Sequence, residues 1–146
     1  MRILCKPALF ARILLACAPA LATPALAEVV VVASSKTSLS ALTPDQVEQT
    51  FSGKASAFAD GRKTHLLDLP ESSATRADFY TKALGKNAIQ MKAYWSRMTF
   101  TGKSLPPAEK ADADAVKKAL AADPDAVGYV DAASVDGSVK VLASFK

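Results

Sequence analysis

Apolar positions along the chain follow two spacings, one typical of strands and the other of helices. Residues 28–33 contain four consecutive valines, and so short a β-branched run predicts a strand buried on both faces, a pattern that parallel sheets favour. Three further strands are predicted, at residues 64–69, 127–130 and 139–143. The Asp136-Gly137 pair between the last two indicates a tight connection, of which a hairpin is one form.

Two helices are predicted in the first half of the chain after residue 40. Thr43, Pro44 and Gln46 supply an N-cap, a first-turn proline and a capping box for a helix over residues 44–52. The second helix, over residues 75–84, is closed by Gly85, a residue type that commonly caps the C-terminal end.

Two more helices follow, and they complete the predicted fold. Asn87 caps the third, and a fourth begins near Asp112 and stops at Asp123-Pro124. We expect a core that includes the apolar face of the third helix together with two other aromatic residues: Ala88, Met91, Trp95, Met98, Phe79 and Tyr129. Because strands and helices alternate, the sequence predicts one α/β lobe, three-layer-like, with a mostly parallel sheet flanked by helices.

The first 27 residues have the order of a secretory signal peptide. Basic residues precede an apolar run over residues 13–21, and small residues end at Ala27. Nine residues rise only about 14 Å as a helix, which argues against a retained anchor across a hydrocarbon core of about 30 Å. Lipid attachment at Cys17 ranks lower than ordinary cleavage, because only four apolar residues separate it from Arg12. We therefore expect export to the periplasm and a domain over residues 28–146.

Composition excludes several classes of function. Both cysteines, Cys5 and Cys17, fall inside the predicted signal peptide, so the domain has no thiol for catalysis or metal binding. His65 is the only histidine, which excludes a multi-histidine metal site. Beyond residue 27 the chain has 15 Lys and Arg against 14 Asp and Glu, and this balance gives no reason to expect a nucleic acid partner. We expect neither a metal nor a cofactor, and an enzyme is the least favoured class.

Small hydroxylated residues follow the second predicted strand, where the second helix begins. The candidate ligand-binding residues are Ser72, Ser73, Ala74, Thr75 and Arg76. Ligands of open α/β sheets bind beyond the carboxyl ends of strands, and a helix start offers unpaired amides and partial positive charge to an anion. The alternative is that Ser72, Ser73 or Thr75 only caps the helix, with Asp78 completing a box from Thr75.

Four segments resemble, in the same order, the phosphate-binding component of ABC-type phosphate uptake systems, a type 2 periplasmic binding protein. They are residues 42–54, 71–79, 100–103 and 123–130, which contain Leu-Thr-Pro-Asp-Gln-Val, Glu-Ser-Ser-Ala-Thr-Arg, Phe-Thr-Gly-Lys and Asp-Pro-Asp-Ala-Val-Gly-Tyr-Val. The resemblance covers most of the domain. It implies the fold of one lobe of that family and a solute-binding ancestry.

The resemblance also implies a site. Family members donate hydrogen bonds to phosphate from a Ser-Gly-Thr turn at a helix start, and the matching residues here are Ser73, Ala74 and Thr75, with Arg76 matching a basic residue often found next. Leu69 stands where the family typically has an arginine, and Ala74 replaces the glycine. Members close two lobes around the ligand, whereas a single lobe leaves the site open, so millimolar affinity is expected unless a partner or a second copy covers the open face.

Two functions follow as hypotheses. The first is a periplasmic protein that binds phosphate or another small oxyanion, in an ABC-type phosphate uptake system with a membrane component as partner. The second is an envelope module that keeps the lobe but uses its surface to contact another protein, without ligand binding. Arg97 and Lys103 could extend a basic rim around an oxyanion, although solvated charges at a helix end are the simpler interpretation.

Overall fold

The computed structural model describes residues 27–146, so that the predicted signal peptide, apart from Ala27, lies outside the described part of the chain. Five strands and four helices follow in the order β1 (Val29–Ser34), α1 (Pro44–Phe51), β2 (His65–Asp68), α2 (Ala74–Leu84), α3 (Ala88–Phe100), β3 (Ala108–Glu109), α4 (Ala113–Ala122), β4 (Ala126–Asp131) and β5 (Val139–Phe145). Within residues 27–146, no helix is both long and apolar enough to cross a membrane.

The sheet is mixed, with four strands in one direction and β1 in the other. Its strand order is β3-β2-β4-β1-β5, and β2 pairs in parallel with both β3 and β4. This confirms the mostly parallel α/β class. The run of valines does form a strand buried along its whole length, but β1 pairs antiparallel with β4 and with β5. A central strand that is covered on both faces is apolar throughout, whether it runs parallel or antiparallel to its neighbours. The four valines therefore could not predict the direction of β1.

The connection between β4 and β5 is not a hairpin. These two strands run in the same direction and lie on either side of β1, so a hairpin is the wrong form for the connection at Asp136-Gly137. A 3₁₀ turn at Ala132–Ser134 leads out of β4, and the Asp136 carboxylate accepts the Ser138 amide at 2.9 Å before β5 begins. The sequence correctly predicts a turn at Asp136. However, β1 lies between β4 and β5, so these two strands cannot pair with each other as a hairpin.

Helices cover both faces of the sheet. Gly128 and Tyr129 are successive residues of β4 and therefore point to opposite faces. On one face a side chain at Gly128 would lie 2.9 Å from Val116 of α4, so this helix approaches the sheet closely there. On the other face Phe79 of α2 stacks on Tyr129 with a centroid distance of 3.9 Å. The sheet is thus the middle of three layers.

Three of the four predicted helix starts are confirmed, and each of these three is fixed by a local cap. Thr43 with Gln46, and Asn87 with Gln90, form complete capping boxes at α1 and α3. The Asp112 side chain accepts the Ala115 amide at the start of α4. Helix α2 begins one residue earlier than predicted, at Ala74, and ends at Gly85 in the left-handed conformation.

The predicted core is found except for Ala88, which is only half-buried and lies at a surface pocket. Phe79, Met91, Trp95 and Tyr129 are buried, and the half-buried Met98 packs against them. Strand β3 is not among the predicted strands, because nothing in two exposed residues after Pro107 signals a strand. Strand β3 forms the edge of the sheet and pairs with the last two residues of β2, Leu67 and Asp68. The candidate site residues follow directly after this pairing.

Candidate functional site

A buried carboxylate lies at the carboxyl end of β2, where the sequence placed the candidate site. Asp68 is only 5% exposed. Its Oδ2 accepts a hydrogen bond from the Tyr80 hydroxyl at 2.5 Å, its Oδ1 accepts one from the Tyr129 hydroxyl, and the Leu69 amide donates to Oδ1 at 2.8 Å. Both carboxylate oxygens are therefore satisfied, which burial of a charge requires.

This cluster changes the chemistry of its two tyrosines. Burial raises the pKa of Tyr80 and of Tyr129 well above the ordinary value, and the negative charge and hydrogen-bond acceptance of Asp68 raise it further. Both hydroxyls consequently stay protonated and act as donors to Asp68 over the whole physiological range.

Arg76, in the first turn of α2, completes the cluster on its open side. Its Nε donates to the Tyr80 hydroxyl at 2.9 Å and lies 3.5 Å from Asp68 Oδ2. Burial alone would lower the pKa of Arg76, but the hydrogen bond with Tyr80 and the Asp68 charge outweigh it and raise the pKa. Within residues 27–146, no acceptor binds the two terminal nitrogens of this guanidinium. One edge of Arg76 is therefore fixed and the other is available.

The first turn of α2 is capped by one serine. The Ser73 hydroxyl accepts the Arg76 amide at 3.3 Å, and the Ser73 carbonyl accepts the Ala77 amide at 3.2 Å. In the described part of the chain this leaves the amides of Ala74 and Thr75 without an acceptor, as expected for the start of a helix. Ser73, and not Thr75, is therefore the N-cap of α2. Its capping leaves the amides of Ala74 and Thr75 free to bind an anion.

A surface pocket of about 740 Å³ adjoins this turn. Apolar side chains of α3 and of the connector before β3 form much of its wall, namely Ala88, Trp95, Phe100, Pro106 and Pro107. Glu71 and Arg76, which flank the turn, and Asp68 line it on the α2 side, whereas Ser73, Ala74 and Thr75 do not. The predicted site residues are thus split between the exposed amide turn and the pocket that Arg76 faces.

The other predicted residues lie elsewhere. Arg97 lies over the Tyr94 ring, with its guanidinium carbon 5.9 Å from the centroid, and Lys103 lines a different pocket. No basic rim is formed. His65 is an exposed residue of β2 whose Nδ1 lies 2.7 Å from Asp123. Among the described residues, no group of three carboxylate, histidine or cysteine side chains could hold a metal ion.

Comparison with solved structures places this arrangement in a known fold. An ABC-type phosphate transport receptor from Vibrio cholerae matches 80% of the chain with a TM-score of 0.63 and 18% identity, and the match covers 45% of the receptor. A phosphate ABC transporter substrate-binding protein from Clostridium perfringens, solved with bound phosphate, matches the same share with a TM-score of 0.64 and 16% identity, over 44% of its length. The chain has the fold of phosphate-transporter substrate-binding proteins.

A third solved structure has the same fold. PstS from Borrelia burgdorferi matches with a TM-score of 0.60 at 10% identity, over 47% of its length. The chain thus spans less than half the length of these substrate-binding proteins. No family model matches the sequence, and no curated protein matches it. The solved neighbours are described as receptors and binding proteins rather than enzymes.

Sequence reasoning missed most of the Asp68 cluster. The predicted elements place Asp68 in the second strand, Tyr80 in the second helix and Tyr129 in the third strand, and the sequence pattern gives none of them a polar role. A signal was present in the chain: Asp68 is the one carboxylate in the apolar stretch over residues 66–69, and a buried carboxylate needs hydrogen-bond donors from elsewhere in the fold. Their identity depends on tertiary packing across 61 positions, which no local pattern encodes.

Proposed function

We propose that the protein is a periplasmic solute-binding domain that recognises phosphate or another small oxyanion at the start of α2. The observation that carries the proposal is the pair of unbonded amides at Ala74 and Thr75, located where β2 ends. A substrate-binding protein of the same fold has been solved with bound phosphate. Export through the predicted signal peptide and service to an ABC-type phosphate uptake system belong to the same proposal.

Each candidate residue has a stated role in this proposal. The amides of Ala74 and Thr75 donate to the anion, aided by the partial positive charge of the helix start. The hydroxyls of Ser72 and Thr75 add donors, and the Ser73 hydroxyl keeps its own proton while it accepts the Arg76 amide. The terminal nitrogens of Arg76 supply the full positive charge.

The exposure of these groups sets the expected affinity. Ser72 and Ala74 are exposed, and Ser73, Thr75 and Arg76 are only half-buried. Water therefore competes for every donor, and Asp68 already offsets part of the Arg76 charge. We expect a dissociation constant on the order of 1 mM, which corresponds to about 4 kcal/mol of binding free energy.

A titration of melting temperature with phosphate tests the proposal. A ligand that binds only the native state raises stability by mass action, so the melting temperature of the parent should rise with phosphate concentration. Thr75→Val should weaken binding about tenfold or more, because a hydrogen bond to a charged partner is lost. Thr81→Val makes the same change on an exposed threonine of α2, two turns away, and should respond to phosphate as the parent does. A parent that is indifferent to both phosphate and sulfate contradicts the proposal.

The envelope interaction module is the second candidate, and the exposed apolar side chains favour it. Phe100 is 93% exposed, Ile89 81% and Leu105 75%, and the first two lie eleven positions apart on α3, close to three helical turns, and therefore on one side of the helix. In this candidate function, these exposed side chains are the contact with the partner protein. The phosphate titration separates the candidates, since the module predicts a melting temperature that no oxyanion changes.

A further inference from the structure

The pocket beside α2 has more room and more apolar wall than an inorganic anion needs. Its volume of about 740 Å³ lies in the range of pockets that enclose whole organic ligands. Trp95, Phe100 and Pro106 contribute apolar side chains to its wall. Phe100 is 93% exposed, so that its ring is available to a ligand without any rearrangement of the core.

The two ends of the pocket carry opposite charges, with Arg76 at the α2 end and Glu109 at the β3 end. Arg76 presents its unbonded terminal nitrogens at the α2 end. Of the carboxylates in the wall, Asp68 is saturated by the two tyrosines and a backbone amide, and Glu71 lies 3.6 Å from Lys92. Glu109, on β3, forms no ion pair within the described residues. The α2 end thus accepts one anionic group, and the β3 end repels a second.

We propose that this pocket binds a phosphate monoester with an apolar substituent, through a phosphate group on Arg76 and an apolar body against Trp95, Phe100 and Pro106. The inference deepens the proposed function, on which it rests, because Arg76 serves both. It names the ligand class: the oxyanion carries an organic group, and that group bears no second negative charge.

Calorimetric titrations with inorganic phosphate, phenyl phosphate and benzylamine test the inference. Burial of about 60 Å² of the phenyl ring corresponds to about a tenfold gain in affinity, so phenyl phosphate should bind about ten times more tightly than phosphate. Benzylamine has the same ring with a positive charge, and should bind more weakly than phenyl phosphate. Trp95, the only tryptophan of the chain, should change its fluorescence with phenyl phosphate and give a second readout of the same pocket.

Phe100→Ala locates the ligand. Because the side chain is almost fully exposed, the variant should fold as the parent does, yet bind phenyl phosphate about three- to tenfold more weakly while its phosphate affinity stays the same. Ile89→Ala is the matched control: it removes another exposed apolar side chain of α3 that does not line the pocket, and should leave both affinities unchanged.

The outcomes separate this inference from the function beneath it. If phosphate binds but phenyl phosphate binds no more tightly, the ligand class is wrong and the oxyanion function stands. If Phe100→Ala has no effect on phenyl phosphate, or if benzylamine binds as tightly, the pocket assignment is overturned. If neither phosphate nor phenyl phosphate binds, the proposed function fails and the inference fails with it.

Discussion

Replacement of Tyr129 by phenylalanine probes the buried Asp68 cluster in two pH ranges. The substitution removes one hydroxyl that donates to Asp68 and keeps the ring, which stacks on Phe79 at 3.9 Å. At neutral pH the lost hydrogen bond to a charged acceptor should lower the free energy of unfolding by about 2 kcal/mol. The Leu69 amide keeps its bond to Asp68, so that no further buried donor is left without a partner.

Above pH 10 the same substitution should make the free energy of unfolding fall less steeply with pH than it does in the parent. In the unfolded chain a tyrosine loses its proton near its ordinary pKa of 10.0, whereas burial and Asp68 keep Tyr80 and Tyr129 protonated in the folded state. The folded state then binds more protons, so stability is fully present below pH 10 and falls as pH rises further. Each tyrosine contributes about 1.4 kcal/mol per pH unit to this fall. Tyr129→Phe should reduce the slope by that amount.

Urea unfolding followed by Trp95 fluorescence at a series of pH values measures both effects. The comparison of parent and variant cancels the contributions of lysines such as Lys54 and Lys117, whose raised pKa values also steepen the alkaline loss. If the two proteins lost stability with identical slopes above pH 10, Tyr129 would not be held protonated by burial and Asp68, and this account of the cluster would be wrong.

Two further predictions concern the core and the start of the mature chain. Trp95 is 7% exposed, so Trp95→Ala should lower the free energy of unfolding by about 3 to 5 kcal/mol, the range for emptying a large aromatic site; an unchanged urea midpoint would show that the α3 face is not part of the core. Intact mass of protein recovered from the periplasm should correspond to a chain that begins at Glu28 without lipid, and a diacylated chain that begins at Cys17 would contradict that prediction.

Local chemistry explains which parts of the fold could be predicted. Capping boxes at Thr43 and Asn87 involve residues three positions apart, and such signals act within one turn of helix, so they survive whatever surrounds them. The buried face of α3 was equally readable, because Met91 and Trp95 repeat at helical spacing. Strands β1, β2, β4 and β5 were predictable as short apolar runs bounded by polar residues, whereas the two exposed residues of β3 carry no such pattern.

Pairing between strands was beyond the same reasoning. The valines of β1 specify burial on both faces, and antiparallel partners bury them as completely as parallel ones. In the candidate site, the run from Ser72 to Arg76 could be placed at a helix start, but the direction of the Arg76 side chain depends on Asp68 and Tyr80, which the fold brings together. The sequence thus predicted the positive charge of Arg76 at the site, but it did not predict that Asp68 holds the Nε edge of its guanidinium.

The position of β1 between β4 and β5 has a consequence for how the chain folds. Val29 lies opposite Asp131 in one neighbour and Phe145 in the other, so both partners of this strand are made about a hundred positions after it. Closing so large a loop costs entropy before any contact repays it, and proteins dominated by such distant pairings fold on the millisecond to second scale rather than in microseconds. The middle of the sheet therefore cannot assemble on the ribosome until β5 has emerged. Until β4 has emerged, the four valines have neither of their partner strands, and the emerging chain is open along β1.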